Sequence, residues 1–460
     1  MSGNFQNLPT ALQVVIQQGW LERKIRAALQ NKLAYRALVE KETFPTRIGE
    51  AFKRTRTAML PAVVKKLVPS DMSNAASLTN GQTAQTAPGY EQWDVTLEEH
   101  GTFLGLNRKQ DKVSLVNNYL RNAGLLANQS AKSQEHMARN PLFGAYLSGN
   151  SYVVTALGAG TSTTALVNDI RGFDTVLIAN GTLAATSVSN PLTCYATKPD
   201  NTVVTLSVTG VVAEGTNHSS ASQLSSDGVE QGGISGTLTF ADAGGTLPDG
   251  TVIKAIHGST ILRPKGKTRT SALLGGDMLT LSLLLDAKLA LENNGVSGAI
   301  DCVLDPSSLR QLYADPEFQN LHTGGRADTE MNTGMISAIL GINFRTTTEA
   351  FQQPAFSGTG AHNIPVAVRR PILVSEGCIV ESTFEADTEQ EDQTIHNIVT
   401  VDGVNFIDRP SLDVFAQNVT QAWEWTGCYS VPQDQSMTAA IMPTAYGARY
   451  KRAVVIEHAG

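Results

Sequence analysis

The first clear hydrophobic period along the chain is helical and lies near the N-terminus. It predicts one amphipathic helix that Thr10 can cap, although Gly19 weakens its first turns. The apolar stripe repeats every fourth residue: Leu21, Ile25, Leu29 and Leu33. The basic stretch that follows, residues 47–56, has no apolar period strong enough to assign.

A polar excursion comes next. Residues 70–89 are almost all Ser, Asn, Thr, Gln, Ala and Gly, without one Lys or Arg, which is typical of an extended or flexible segment. Strand-like alternation returns over residues 90–106, with Trp93, Val95 and Leu97 on one side. The excursion is therefore predicted to be the loop of a long hairpin.

A long helix is predicted after this hairpin. Asp111 is a good N-cap, and apolar residues at helical spacing continue to Arg139. At 1.5 Å per residue this helix would be about 42 Å long. It is expected to stop at Asn140 and Pro141, because a proline disfavours helical backbone in the residue before it.

The composition then changes to Thr, Val, Gly and Asn over residues 158–266. Alternation typical of strands appears at residues 204–208 and 238–240, and turn sequences stand at 198–201 and 248–250. We interpret this region as an inserted all-β domain, sandwich-like (Ig-like) or barrel-like, of roughly 100 residues. It interrupts another domain, because helical segments lie on both sides of it.

The remainder mixes helices and strands, so the fold class is α+β around an all-β insert. Asp277 opens a helix that is apolar nearly all round and is therefore predicted to be buried, and Asp305 with Pro306 caps a shorter one. Strands are expected from about residue 341 to Ile456. The other elements predicted here are helix Met278–Leu291, strand Ile300–Leu304, helix Ser307–Tyr313 and helix Met335–Leu340.

Composition describes a soluble globular protein with little surface charge: 41% hydrophobic, 6% aromatic and 17% charged residues. No run approaches the roughly 18 apolar residues of a membrane span, and the polar N-terminus is unlike a signal peptide, so we expect a cytosolic start and no membrane. The cysteines show no metal-ligand spacing and are expected to be reduced and buried: Cys194, Cys302, Cys378 and Cys428.

Charge is distributed unevenly. Residues 1–68 carry twelve Lys or Arg against four Glu, a net charge of +8. Because the whole chain has a net charge of −7, the remaining residues carry −15. A basic terminal segment can contact nucleic acid, but contact with an acidic neighbouring subunit is favoured. Six acids within twelve residues are predicted to form a solvated loop or such a partner rather than a cation site: Glu381, Glu385, Asp387, Glu389, Glu391 and Asp392.

Sequence motifs for catalysis are incomplete. Gly266-Lys267-Thr268 lacks the earlier Gly of a phosphate-binding loop, because Ile261 stands there, and Gly158-Ala159-Gly160 lacks the strand-to-helix context of a dinucleotide site. The eight histidines are far apart, and no GxSxG elbow exists. We therefore nominate no catalytic, cofactor-binding or metal-binding residue, expect no cofactor, and do not expect an enzyme.

The order of these elements resembles that of tailed-bacteriophage major capsid proteins. Residues 125–146, "LLANQSAKSQEHMARNPLFGAY", look like the long helix of coat proteins that carry inserted domains. Residues 285–296, "LDAKLALENNGV", with "DPSSLRQLYADPEFQ" at 305–319, are similar to their axial domain. Residues 408–431, "DRPSLDVFAQNVTQAWEWTGCYSV", resemble their C-terminal peripheral strands.

The resemblance implies the Hong Kong-type capsid fold, and a shell subunit that assembles into the icosahedral head around double-stranded DNA. The implied segments are an N-terminal arm (1–66), an extended loop (67–108), a peripheral domain with the long helix (109–157), the inserted β domain (158–266), an axial domain (267–370), and C-terminal strands that complete both domains (371–460). An encapsulin-like nanocompartment shell, or another phage structural or surface protein, remains the alternative.

The family also implies partners and a location: hexamers and pentamers of the same chain, a separate scaffolding protein, a portal protein, a decoration protein in some members, and packaged DNA contacted non-specifically. Assembly in the host cytoplasm would place the protein in the virion. Some members crosslink their subunits through a lysine of the extended loop, whereas residues 67–94 contain none. A shell without covalent crosslinks is therefore predicted.

Overall fold

The structure is a computed structural model of the 460-residue chain. It describes residues 33–44, 49, 51–57, 90–107, 118–155, 163–177, 183–214, 233–241, 245–296, 298–322, 338–357, 360, 363–384, 397–401, 403–409, 418–432 and 452–460. The predicted N-terminal helix and the loop at 70–89 lie outside these residues, as does the predicted helix start at Asp111.

Strands dominate the described part of the chain. In chain order they are β1 (Glu40–Phe44), β2 (Ala51–Thr57), β3 (Tyr90–Thr96), β4 (Glu98–Asn107), β5 (Asn150–Thr155), β6 (Thr164–Val167), β7 (Thr175–Leu177), β8 (Leu183–Ala185), β9 (Leu192–Thr197), β10 (Val203–Ala213), β11 (Gly236–Phe240), β12 (Val252–Ala255), β13 (Ile261–Leu262), β14 (Ile300–Leu304), β15 (Ala338–Ile339), β16 (Ile342–Thr346), β17 (Gln352–Gln353), β18 (Val368–Arg369), β19 (Ile372–Ser375), β20 (Val380–Phe384), β21 (Asn397–Val401), β22 (Val404–Arg409), β23 (Asn418–Ser430), β24 (Ala453–Ile456) and β25 (His458–Ala459). The α-helices are α1 (Asn118–Leu147), α2 (Leu281–Asn293), α3 (Pro306–Ala314) and α4 (Pro316–His322).

The long helix α1 packs on a six-stranded sheet in which β1, β20, β23, β22 and β21 follow one another and β4 also pairs with β23. The helix passes through Pro141 and ends at Leu147, so the predicted stop at residue 140 was wrong. Proline removes one helical hydrogen bond and costs about 3 kcal/mol or more. Complete burial of Leu142, Phe143 and Tyr146 in the core beyond it outweighs that cost.

Six strands form a closed barrel in the region predicted to be an inserted β domain, with the strand order β10, β11, β6, β5, β12, β9. Buried residues of β10 and β11 alternate with partly exposed ones over residues 204–208 and 238–240, as the sequence alternation predicted. The barrel begins with β5, ahead of the predicted border at 158. The chain enters the barrel at Gly149 and leaves it at Gly258, and the two glycines are in close contact. A Cβ on Gly149 would lie 2.7 Å from the Gly258 Cα, and φ of Gly149 is +72°, so this position favours glycine.

A third sheet follows the order β13, β24, β19, β14, β16, β15, and its core includes residues of α2, α3 and α4. Strand Ile300–Leu304 is confirmed, and Asp305 caps α3 by accepting from Ser307 N at 3.0 Å. Helix α2 instead begins at Leu281 with Thr280 as its cap. Asp277 is not that cap, because its carboxylate accepts from Leu274 N at 2.6 Å.

Two further expectations need correction. Helix α2 is not buried all round, since Leu285 and Leu289 are 38% and 54% exposed. The described end of the predicted helix Met335–Leu340 is strand β15, which turns at Leu340 and Gly341, both at positive φ, to pair with β16. Pairing with β16 brings these residues into the sheet, and the short apolar run did not distinguish the two states.

Candidate functional site

The base of the predicted hairpin is a two-stranded antiparallel ladder. Its register runs from Ala51 opposite Thr96 to Thr57 opposite Tyr90, so the strands flanking residues 58–89 are paired. Strand β2 thus belongs to the hairpin, whereas the predicted border at 66 assigned it to the arm. Its sequence, AFKRTRT, is polar on most positions, so only its partner identifies it as a strand.

One face of this ladder is covered and the other is open. Trp93 and Val95 are buried, while Lys53 and Asp94 form a 3.4 Å ion pair with 62% and 72% of their side chains exposed. Phe52 packs on Phe44 of β1 with ring centroids 3.9 Å apart. A two-stranded ladder is marginally stable by itself, so contact with another surface would stabilise this one.

The start of the described chain is bound to α1 through Glu135. Ala34 N and Tyr35 N each donate to Glu135 Oε1 at 2.8 Å, and Arg36 N donates to Oε2 at 3.3 Å. Burial raises the pKa of Glu135, and the three amide donors oppose that shift. The carboxylate therefore holds three consecutive backbone amides of the arm against the long helix.

Arg36 continues this attachment to the sheet. Its guanidinium makes two contacts with the carboxylate of Glu381, at 2.7 and 3.2 Å, and also bonds Gln134. Both side chains of the ion pair are almost completely buried. Glu381 is therefore a buried partner of the basic segment within the same chain, not a residue of a solvated loop or a partner for a neighbour. The other five acids of that cluster lie outside the described residues.

Phe351 joins α1 to the residues that follow β16. Its ring stacks on Phe143 with centroids 4.5 Å apart, and the guanidinium groups of Arg139 and Arg370 lie 5.5 and 5.7 Å from its ring centroid. Beside it, Glu349 contacts His136 Nε2 at 2.7 Å. Although desolvation opposes the shift, the hydrogen bond from His136 and the charge of Lys132 hold the pKa of Glu349 below its usual range.

The third sheet contains a buried charge cluster around Glu457. Its carboxylate accepts from Arg263 Nε at 2.7 Å, Arg370 Nε at 2.9 Å and Thr270 Oγ1 at 2.8 Å. Desolvation would raise the pKa of Glu457, but the two guanidinium groups lower it to about 2. The pair Glu457 and Arg370 is buried and compensated, so the cluster has a structural role.

Asp305, Ser308 and His458 come together, yet their geometry differs from that of a hydrolase. The Asp305 carboxylate accepts from Ser308 and Arg369 and does not contact the His458 imidazole. The imidazole Nδ1 instead lies 2.8 Å from Ala459 O, and its Nε2 lies 2.8 Å from Ser308 Oγ. Burial lowers the pKa of His458 to about 4. Ser308 and His458 are fully buried, so a substrate cannot reach them.

The rejected phosphate-loop triplet is a turn whose lysine is otherwise engaged, since Lys267 Nζ lies 3.4 Å from Asp277 Oδ2. Among the residues that the structure describes, no group of three or more His, Cys, Asp or Glu side chains is placed to hold a metal ion. No described helix is long and apolar enough to cross a membrane. All four cysteines are free; three are buried and Cys428 is half-buried.

Among the described residues, exposed apolar side chains on β4 and on α2 form two surfaces. Phe103 of β4 is 69% exposed and pairs with Ala422 of β23, which pairs with Ile407 of β22. These three residues form an apolar row across the first sheet, on the face opposite to the buried Trp423 and Trp425. The second surface is on α2, where Leu285 and Leu289 are one helical turn apart. Exposed apolar patches bordered by polar residues mark interaction surfaces.

Comparison with solved structures finds capsids. The capsid structure of the Cyanophage P-SCSP1u aligns over 93% of this chain and 88% of that chain, with 10% identity and a TM-score of 0.48. The capsid of Ralstonia phage GP4 aligns over the same shares at 9% identity and a TM-score of 0.47. The Cyanophage Pam1 capsid asymmetric unit aligns over 95% and 93% at 9% identity and a TM-score of 0.48.

No protein-family model and no curated protein matches the chain. These solved structures are phage capsids, the class of protein that the sequence resembles.

Several residues of the site were not identifiable from the sequence. Arg36, Glu135 and Glu381 come from three distant segments, and the chain separation between Arg36 and Glu381 is 345 residues. No local motif connects them. The only signal was the opposite charge of the two regions, which suggested attraction but not that it acts within one chain.

Proposed function

We propose that this protein is the major capsid protein of a tailed bacteriophage, a non-enzymatic subunit that assembles into the icosahedral head and encloses double-stranded DNA. The observation that carries the proposal is the order of elements along the described chain. An arm segment held on the long helix is followed by the hairpin base, the helix itself, an inserted barrel, and the sheet with α2 and α3. This order was the basis of the resemblance in the sequence.

The distribution of strong and weak contacts supports a shell role. Within the subunit, buried charge networks at Arg36 and Glu457 and the stacked Phe143 and Phe351 rings connect the parts. Outside, the half-covered hairpin base and the apolar row at Phe103 are available for other copies. A shell needs subunits that keep their shape while many modest, repeated contacts join them.

The finer parts of the proposal follow from the family. We expect hexamers and pentamers, a separate scaffolding protein, a portal protein, non-specific contact with the packaged DNA, and a decoration protein if the shell carries one. Assembly takes place in the host cytoplasm and the protein ends in the virion. The six segments keep their proposed roles, with β2 moved into the hairpin and β5 into the inserted domain.

Negative-stain electron microscopy tests the proposal. The chain is expressed alone and together with its neighbouring phage genes, and closed shells of uniform size are expected at physiological salt. Persistent monomers under both conditions would overturn it. Nuclease-protected DNA inside the particles supports the capsid, whereas enzyme cargo without DNA would identify a nanocompartment shell instead. Denaturing gels of mature particles should show single subunits, and covalent ladders would contradict the predicted absence of crosslinks.

A further inference from the structure

A cleft that is open to solvent lies where the barrel meets the end of α1 and the third sheet. Its walls come from β5 and β12 of the barrel, from the residues after β6, from the turn after β13, and from β24's neighbour Glu457. Nothing in the proposed shell function uses this cleft. Its polar walls distinguish it from the apolar cores on either side.

The walls carry more positive than negative charge. Among the lining residues there are four arginines, Arg171, Arg263, Arg269 and Arg370, but only two carboxylates, Asp169 and Glu457. Both carboxylates are already engaged. Asp169 accepts from the Arg171 guanidinium at 2.7 Å, and Glu457 accepts from Arg263 and Arg370. The four guanidinium groups and the two carboxylates give the lining side chains a net charge of +2.

Arg269 is the guanidinium for which this matters most. Its described partners are neutral: Nη1 donates to Gly250 O at 3.1 Å and Nε donates to Ser271 Oγ at 3.1 Å. The buried hydroxyl of Tyr152 lies within the field of Arg269, Arg263 and Glu457 and bonds Ser271. A half-buried guanidinium on neutral acceptors gains from an anion, because a charge-assisted hydrogen bond is about twice as strong as a neutral one.

The geometry points to a binding site for a phosphate-type oxyanion in this cleft, with Arg269 as its main ligand and Arg263 and the Tyr152 hydroxyl beside it. A planar guanidinium fork matches phosphate oxygens in a way that a lysine does not. A net charge of +2 on the walls suits a dianion. The phosphate can come from solution or from a nucleic-acid backbone, since both offer the same oxygen atoms.

Isothermal titration of the purified full-length chain tests the site, with inorganic phosphate in one arm and a short oligothymidylate without terminal phosphate in the other. Ionic strength is held constant with chloride, because phosphate also stabilises proteins unspecifically by exclusion from their surface. Thermal unfolding in the same solutions gives a second readout. We expect saturable binding in at least one arm, accompanied by a rise in Tm.

Arg269→Gln should weaken that binding at least tenfold, and Arg269→Lys should weaken it less because the charge remains. Arg310→Gln is the matched control, since Arg310 is an exposed residue of α3 that does not line the cleft; its binding should equal that of the parent chain. Binding of phosphate or of the oligonucleotide then identifies the source. Absence of saturable binding in both arms, or equal binding by Arg269→Gln, would overturn the site. If Arg269→Gln does not fold, the Arg269→Lys comparison decides.

Discussion

Replacing Glu457 with glutamine would remove the carboxylate that accepts from both Arg263 and Arg370 in the buried cluster of the third sheet. The geometry allows a magnitude. Removing one partner of a buried ion pair costs about 3–5 kcal/mol, because the remaining charge stays in a low-dielectric site. Glutamine keeps the size of the side chain, so packing loss adds little.

The readout is hydrogen exchange on β24, whose Val454 and Val455 pair with Leu373 and Ile372 of β19 next to Glu457. Since about 1.4 kcal/mol corresponds to a tenfold change in an equilibrium constant, protection should fall by about two to nearly four powers of ten. Exchange resolves one strand, which suits a chain of several units better than a single global unfolding transition.

The matched control is Glu292→Gln in α2. Glu292 is half exposed and lies 3.7 Å from Lys288 one turn away, so its loss should cost less than about 0.5 kcal/mol. Unchanged protection of β24 in Glu457→Gln would refute the reasoning, since it would mean that the two guanidinium groups do not depend on this carboxylate.

The Glu457 ion cluster also has a pH signature. Its folded pKa of about 2 lies below the ordinary 4.5, so its contribution is complete above pH 4.5 and is lost as pH falls towards 2. At about 1.4 kcal/mol for each pH unit, the loss amounts to about 3 kcal/mol. Glu457→Gln should lack this acid dependence while Glu292→Gln retains it.

Three other perturbations test other parts of the structure. Phe351→Ala should lower stability by about 3–5 kcal/mol because it removes the ring between Phe143, Arg139 and Arg370; Phe103→Ala, at an exposed position, should change the Tm little, and equal losses would contradict the difference in burial. Arg36→Gln leaves Glu381 buried without its cation and should cost about 3–5 kcal/mol; adding Glu381→Gln should cost less than the sum of the single changes, and strict additivity in thermal unfolding would show that the pair is not coupled. In the folded protein burial keeps His458 neutral down to about pH 4, whereas in the unfolded chain it is protonated below about pH 6.5. The free energy of unfolding should therefore fall by about 3 kcal/mol as the pH is lowered from 6.5 to 4, and this residue should cause no further loss below pH 4. A urea unfolding midpoint, followed at β25, that stays constant over this pH range would contradict the burial of His458.

Local signals in the sequence predicted several elements correctly. Asp305 followed by Pro306 capped a helix as expected, because an N-cap and a proline in the first turn act within a few residues. The strand Ile300–Leu304 was recognisable as a short apolar run, and the alternation in β10 and β11 was recognisable because every second side chain faces the barrel core. The resemblance to phage capsid proteins depended on the same kind of information, namely the order and wording of elements.

Tertiary contacts decided what those signals left open. Helix α1 continues past Pro141 because Phe143 and Tyr146 are buried in the hydrophobic core. Strand β2 forms because it pairs with β3. Whether the insert is a sandwich or a barrel depends on the closure of β5 onto both β6 and β12, which no single strand encodes. Arg36 and Glu381 meet across most of the chain. The sequence by itself therefore determined the helix caps and the periodic elements, because their causes lie within a few residues. Strand pairing, barrel closure and the partners of buried charges required the folded structure, because their free energy comes from groups that only folding brings into contact.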